Sequence, residues 1–213
     1  MKKVSVQSNE KIASFTYLLA FERFFEFIPG QVVNVQIDKS IPPRIYSIAS
    51  GDKEKFIKLL YKINPEGALT PKLSVLNKND AIWVSEPFGN FTATQEKSVC
   101  IATGTGIAPF ASMLFSGWME NKTFIHGSRI SEEFYFQKEF SARLKNNYVR
   151  CCSGEKKVDF YNGRVTGYLN SLKDFPMELK YYLCGSAEMV VEVRDILLSG
   201  GISFDNILSE IYF

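Results

Sequence analysis

Apolar and polar positions alternate through about the first ninety residues, the period of strands whose two faces meet different surroundings. Val4-Ser5-Val6-Gln7-Ser8 alternates, and Ile12 to Phe21 carries a long β-branched and aromatic run. Gln31 to Ile37 alternates again and is ended by Asp38 and the Pro42-Pro43 pair. Arg44 to Ala49, Lys55 to Ile63 and Ala81 to Ser85 bring the total to about six strands. Gly, Asn, Asp and Pro turns lie between them at the spacing of an all-β barrel or sandwich. One short helix interrupts the series, Thr70 to Leu76, with Thr70 as N-cap and Pro71 at its first helical position.

The period changes near residue 95, after the polar link Thr92 to Lys97. Short apolar strands at Val99–Thr103, Thr123–His126, Tyr148–Cys152 and Tyr181–Cys184 then alternate with amphipathic stretches. Those stretches predict helices over Ala108–Met119, Ser131–Leu144 and Ala187–Leu198, and Asn206 to Leu208 closes the pattern as a last strand. Strands separated by helices predict an α/β doubly wound parallel sheet. The reading is of two domains, a β domain over residues 1–94 and an α/β domain over residues 95–213.

Composition narrows the function class. Of 213 residues, 46% are hydrophobic and 23% charged, enough to bury one large core or two small ones. Lys and Arg number 25 against 23 Asp and Glu, a net charge of +2 that is too small to argue for a nucleic-acid or membrane-surface protein, so neither partner is expected. No apolar run reaches the ~18 residues of a membrane span. Met1-Lys2-Lys3-Val4-Ser5 lacks the apolar segment of a signal peptide, so a cytoplasmic chain with reduced thiols is expected. Cysteines 100, 151, 152 and 184 show neither zinc spacing nor iron–sulfur clustering, and no metal site is expected. Cys100, Cys151 and Cys152 read as small core residues, His126 as a satisfied residue at a strand end, and Trp83 and Trp118 as core. The 18 Phe and 10 Tyr are mostly core material, but they also suit a protein that stacks on flat ligands.

The strongest local signal is Ile101-Ala102-Thr103-Gly104-Thr105-Gly106-Ile107-Ala108-Pro109, where a strand gives way to a helix. Two glycines permit a tight turn and close approach of a ligand to the backbone, and a helix N-terminus offers N–H groups to a phosphate. Pro109 stands where the common dinucleotide fingerprint has a third glycine. In Arg44-Ile45-Tyr46-Ser47 the alternation puts Arg44 and Tyr46 on one strand face and Ser47 on the other. An Arg beside an aromatic can clamp a phosphate and stack on a planar ring, or it can be an exposed Arg beside a core Tyr. Gly67-Ala68-Leu69-Thr70 is either a second phosphate site or a plain capped turn.

In this order, Arg44-x-Tyr46-Ser47, Gly67-x-x-Thr70, Gly104-Thr105-Gly106-Ile107-Ala108-Pro109 and Cys184-Gly185 resemble the ferredoxin–NADP⁺ reductase family, and Glu210-Ile211-Tyr212-Phe213 resembles the tails of its plant and bacterial members. The resemblance spans nearly the whole chain. It implies an antiparallel FAD-binding β-barrel followed by a nicotinamide-nucleotide α/β domain. Arg44 would pair with the FAD pyrophosphate, Tyr46 would stack on the isoalloxazine, and Ser47 would hydrogen-bond near flavin N5. Gly67 and Thr70 would hold FAD phosphates, while Gly104, Thr105 and Gly106 would receive the nucleotide pyrophosphate. Cys184 and Gly185 would lie beside the nicotinamide, and Glu210 would serve electrostatics or proton supply. Tyr212 would cover the flavin face that the nicotinamide must reach, and Phe213 would rest near the adenine end of FAD.

One departure concerns the nucleotide. Many NADP-using members end the third strand of the α/β half in a Ser-Arg pair that grips the 2′-phosphate, whereas here Cys152-Ser153-Gly154-Glu155 puts Gly154 at the Arg position. Arg164, Lys156, Lys157 and Arg129 are available as substitutes or form a solvated basic turn. The expected nucleotide is NADPH, with NADH possible. The implied activity moves electrons between NAD(P)H and a one-electron carrier, ferredoxin or flavodoxin. The alternatives are a diaphorase or the reductase component of an oxygenase, and a nucleotide-binding domain that has lost its flavin.

Overall fold

The computed structural model describes residues 1–92 and 94–212, with Tyr212 described by its backbone alone. The antiparallel part is built from β1 (Lys2–Ala13), β2 (Thr16–Glu22), β3 (Val32–Gln36), β4 (Arg44–Ser47), β5 (Phe56–Lys62) and β6 (Ala81–Val84), in the order β4-β3-β6-β1-β2-β5. Ile48 bridges Leu59, and the Ala49 N–H donates to the Lys58 carbonyl at 2.8 Å. The end of β4 therefore meets β5 and the two sheet edges approach closure. Alternate residues such as Val6, Leu19, Phe21, Val33, Ile57 and Ile82 point inward and form one buried cluster.

Two local expectations fail here. The run Ile12 to Phe21 is not one strand, because β1 ends at Ala13 and turns at Ser14-Phe15 into β2, with Ala13 paired to Thr16. The short helix α1 (Thr70–Ser74) is capped at Leu69 rather than Thr70. The Thr70 hydroxyl instead accepts from the Asn64 N–H at 2.9 Å and donates to the Asn64 carbonyl at 3.3 Å, so it closes the preceding turn.

The parallel sheet consists of β7 (Ser98–Thr103), β8 (Lys122–Ser128), β9 (Tyr148–Cys152), β10 (Tyr161–Asn162), β11 (Lys180–Ser186) and β12 (Ile207–Tyr212), in the order β10-β9-β8-β7-β11-β12. The helices are α2 (Ala108–Phe115), α3 (Gln137–Leu144), α4 (Val165–Ser171) and α5 (Ala187–Ser199). The order runs outward in both directions from β7, which makes β7 the switch point of a doubly wound sheet. On one face Ile101, Ile125, Cys151 and Leu183 pack with Val165, Leu169 and Val193 of α4 and α5. On the other, Phe124, His126 and Tyr148 form a ring cluster with Phe140 of α3.

The helix expected over Ser131–Leu144 is interrupted. Ser131–Glu133 is a single 3₁₀ turn, and Phe136 takes φ +56 before α3 begins. β10 and α4 were not anticipated from the pattern.

The chain folds as two units. Met1–Thr92 with Ala108–Ser116 form one, and Ala93–Ile107 with Gly117–Phe213 form the other. Although α2 follows β7 in sequence, it belongs to the first unit. The Ser112 hydroxyl donates to the Ser50 carbonyl at 2.8 Å, and Phe110 meets Phe91 edge-on with centroids 5.8 Å apart. No helix among the described residues is long and apolar enough to cross a membrane.

Candidate functional site

In the second unit a cleft of about 240 Å³ opens at the carboxyl ends of the parallel strands. Thr103 and Gly104 come from the end of β7, Gly127 and Ser128 from β8 with Arg129 just beyond, and Cys151 and Ser153 from the end of β9. Arg164 to Thr166 come from the start of α4, and Ser186, Glu188, Met189 and Glu192 from the start of α5. Strand ends at a switch point leave a crevice because neighbouring connections depart to opposite faces. The crevice also receives the N-terminus of the thirteen-residue α5, capped by the Ser186 hydroxyl, which accepts from the Met189 N–H at 3.3 Å. Unpaired N–H groups and the positive dipole end there suit a phosphate.

The glycine turn is built differently from its expected form. Gly104–Ile107 is a 3₁₀ turn, so α2 does not start directly at the strand end. Gly104 has φ +56 and lines the cleft, Thr105 is half-buried in the turn and is not part of the cleft lining, and Gly106 is buried. A Cβ on Gly106 would stand 2.4 Å from the Cys184 carbonyl oxygen, so the turn lies directly against β11. Gly185, at φ +156, is pressed in the same way against Thr103, whose Oγ1 would be 2.4 Å from an added Cβ.

Cys184 is fully buried, and Glu210 is half-buried and in direct register with it across β11 and β12. Neighbours in register on parallel strands project to the same face. Cys184 and Glu210 therefore share the sheet face opposite α4 and α5, with Ala102 and His126 in the same row. Tyr212 pairs with Ser186 through its backbone, but its side chain and all of Phe213 lie outside the described residues.

Of the four cations considered for a 2′-phosphate, Arg129 and Arg164 line the cleft and Lys156 and Lys157 do not. Arg164 faces Glu188 at 3.7 Å, and Lys157 faces Glu155 at 3.4 Å. The Glu155 carboxylate also accepts from the Ser131 N–H at 3.1 Å, and hydrogen bonds from the Ser131 side chain and then its N–H hold the carboxyl below the usual range. Gly154 donates its N–H to the Arg129 carbonyl at 2.8 Å.

In the barrel, β4 exposes Arg44, half-buries Tyr46 and buries Ser47. Burial pushes the Tyr46 phenol up to about 12, against the opposing pull of the neighbouring Arg44 charge. The Tyr46 ring meets Tyr61 edge-on at 6.4 Å, and the Tyr61 hydroxyl donates to Asn9 at 3.0 Å. The Asn9 amide donates in turn to the Leu73 carbonyl of α1 at 2.8 Å. This chain of contacts fixes the ring beside Arg44 and ties it to α1. Gly67 closes its turn by donating to the Asn64 carbonyl at 2.9 Å.

Three further expectations need correction. His126 is not at a strand end, since β8 continues to Ser128, and it is only half satisfied. Its Nδ1 lies 2.9 Å from the Tyr148 hydroxyl, while its Nε2 is buried with no hydrogen-bond partner among the described residues. Burial lowers its pKa to about 3. Trp83 and Trp118 are half-buried rather than core, and the Lys3 ammonium stands 5.7 Å from the Trp83 ring. Cys100, Cys151 and Cys152 are buried as expected. The sequence reading missed Glu133, Glu188 and Glu192 in the cleft. Of these, only Glu188 carried a signal, as an acid in the first turn after a Ser cap.

Residues 1–93 match the oxidoreductase FAD-binding domain and residues 100–195 the oxidoreductase NAD-binding domain. The toluate 1,2-dioxygenase electron transfer component of Pseudomonas putida is 30% identical over 195 residues, 86% of this chain and 58% of its own. A probable dihydroorotate dehydrogenase B (NAD(+)), electron transfer subunit, of Pyrococcus abyssi is 28% identical, with 92% of this chain and 74% of its own covered. The chain thus spans little more than half of the first relative. The fold matches a crystal structure of a ferredoxin NADP⁺ reductase from Neisseria gonorrhoeae with bound FAD and NADP. The TM-score is 0.89 at 19% identity, over 100% of this chain and 98% of that one.

Proposed function

From the premise that the chain belongs to the ferredoxin–NADP⁺ reductase family of FAD- and NAD(P)-binding oxidoreductases, we propose that it takes electrons from NADPH or NADH and delivers them singly to a protein carrier, ferredoxin or flavodoxin. The observation that carries this reading is the cleft at the sheet's switch point, with a helix N-terminus and two guanidiniums turned to it. FAD, when bound, supplies the conversion of one hydride into two single electrons.

The residues of each unit fit their cofactors. In residues 1–94, Arg44 offers an exposed guanidinium for a diphosphate, and Tyr46 offers a ring already held by Tyr61. Ser47, on the opposite strand face, is assigned to flavin N5. The Gly67–Thr70 turn supplies shape, since Asn64 already engages the Thr70 hydroxyl. In residues 95–213, Gly104 lets the nucleotide approach the backbone, and Thr105 and Gly106 hold the turn in place. Arg164 and the α5 N-terminus face the phosphates. Cys184 and Gly185 are assigned to the nicotinamide end, with Glu210 beside them to hold negative charge or a proton. Tyr212 and Phe213 are assigned to the flavin and its adenine. The four buried cysteines suit a reducing compartment, the cytoplasm.

A second reading is favoured by the relatives' roles as electron transfer components. In it the acceptor is an oxygenase or another redox enzyme. Steady-state assays with a panel of acceptors separate the two. NAD(P)H-dependent reduction of ferredoxin or flavodoxin at rates well above those with dyes supports the first reading, and reduction of dyes alone rejects it for the second.

A further inference from the structure

The four candidate cations raise the question of which nucleotide this cleft accepts, and the charges that line it answer differently from the sequence. Two guanidiniums, Arg129 and Arg164, face three carboxylates, Glu133, Glu188 and Glu192. Arg164 is opposed by Glu188 at 3.7 Å, and Lys157, outside the cleft, by Glu155 at 3.4 Å. A 2′-phosphate brings about two negative charges and needs a cation fork to replace its water. Here it would meet an excess of carboxylate.

The backbone forbids the simplest remedy. A Cβ at position 154 would lie 2.5 Å from the Arg129 carbonyl oxygen and 2.9 Å from the Arg129 Cγ. No side chain, and so no arginine, can project from this position at the end of the third strand without moving the loop. Glu133 follows the second strand, where an acid can accept from a ribose 2′-hydroxyl in dinucleotide folds of this topology. It is half-buried, and its Oε2 lies 3.4 Å from the Ser128 hydroxyl on the cleft wall.

We infer that this cleft selects NADH over NADPH, with the Glu133 carboxylate accepting from the adenosine 2′-hydroxyl and the excess of carboxylate in the lining opposing a 2′-phosphate. The inference rests on the reductase reading above and names its electron donor. It reverses the sequence expectation of NADPH.

The test is direct binding by titration calorimetry on the purified flavin-loaded protein, with NAD⁺, NADP⁺, 5′-AMP and 2′,5′-ADP as probes. NAD⁺ should bind about tenfold or more tightly than NADP⁺, and 5′-AMP more tightly than 2′,5′-ADP. Glu133→Gln should weaken NAD⁺ and strengthen NADP⁺, collapsing the ratio without moving the melting temperature. Glu188→Gln removes a carboxylate from the lining and should strengthen NADP⁺ more than NAD⁺. Tighter binding of NADP⁺ by the native protein overturns the inference but leaves the reductase reading intact, as does an equal change of both nucleotides in Glu133→Gln. Absence of binding by all four probes overturns the reductase reading and the inference with it.

Discussion

The two glycines of Gly104-Thr105-Gly106 do different jobs, and replacing each by alanine separates them. At Gly104 the backbone has φ +56, and an added Cβ finds nothing within 4 Å among the described residues. The cost there is the left-handed conformation, ~1–2 kcal/mol, offset in part by the stiffer unfolded chain. At Gly106 the added Cβ meets the Cys184 carbonyl oxygen at 2.4 Å, its carbon at 2.5 Å and the Gly185 nitrogen at 2.6 Å. These are backbone atoms of a central strand that is paired on both sides, so they cannot swing away as a side-chain tip would. The turn must move by about 1 Å, at the upper end of or beyond the ~1–3 kcal/mol of overpacking. Gly106→Ala should therefore destabilise the second unit by ~3 kcal/mol or more, against ~1 kcal/mol for Gly104→Ala. Trp118 belongs to the second unit and Trp83 to the first, so urea unfolding read by Trp118 fluorescence in a Trp83→Phe background isolates the effect. Nucleotide affinity should fall with Gly106→Ala as well, because the displaced turn carries Gly104 into the cleft. A Gly106→Ala protein as stable as the parent, or more stable than Gly104→Ala, refutes the packing argument.

Two other outcomes follow from single residues. Arg44→Ala should weaken FAD by about tenfold or more, the loss of one charge-assisted pair to a diphosphate, and an unchanged dissociation constant removes Arg44 from the site. His126 is neutral when folded, with its pKa lowered from 6.5 to about 3 by burial, so the unfolded chain binds the extra proton between those values. Stability is therefore full above pH 6.5 and falls as pH drops toward 3, by up to ~1.4 kcal/mol per unit. His126→Phe should remove that slope between pH 6.5 and 5 in denaturant titrations, and identical pH profiles for the two proteins contradict the burial argument.

The strands were legible because alternation and short apolar runs reflect burial on one face or both, and the six barrel strands and the parallel series were found near their observed places. The misses share a physical cause, the absence of a local marker. The turn at Ser14-Phe15 has no Gly, Pro, Asn or Asp, so the apolar run conceals it. Phe136 adopts a left-handed conformation inside what reads as one helix, and tertiary packing of its neighbours Phe134 and Phe140 holds the break. β10 is two residues long, and α4 contains Gly167, so neither presents a clear period.

The site divides in the same way. Gly104 and Gly106 lie together in sequence and could be read as a turn, whereas the acidic lining comes from two separate places, Glu133 after β8 and Glu188 with Glu192 on α5. Only the folding of the sheet gathers them. The cations were visible as residues, but their neutralising partners, 24 positions away for Arg164, were not. Thr70 looked like a cap because it precedes proline, yet the Asn64 backbone claimed its hydroxyl first.

The most direct test of the account is anaerobic titration of the purified protein with NADH and NADPH while its visible absorbance is followed. The account predicts one FAD per chain, released intact on denaturation, and stoichiometric bleaching of its bands by added nicotinamide nucleotide. A protein that binds no flavin when supplied with FAD, or whose bound FAD keeps its oxidised spectrum in excess NADH and NADPH, contradicts it.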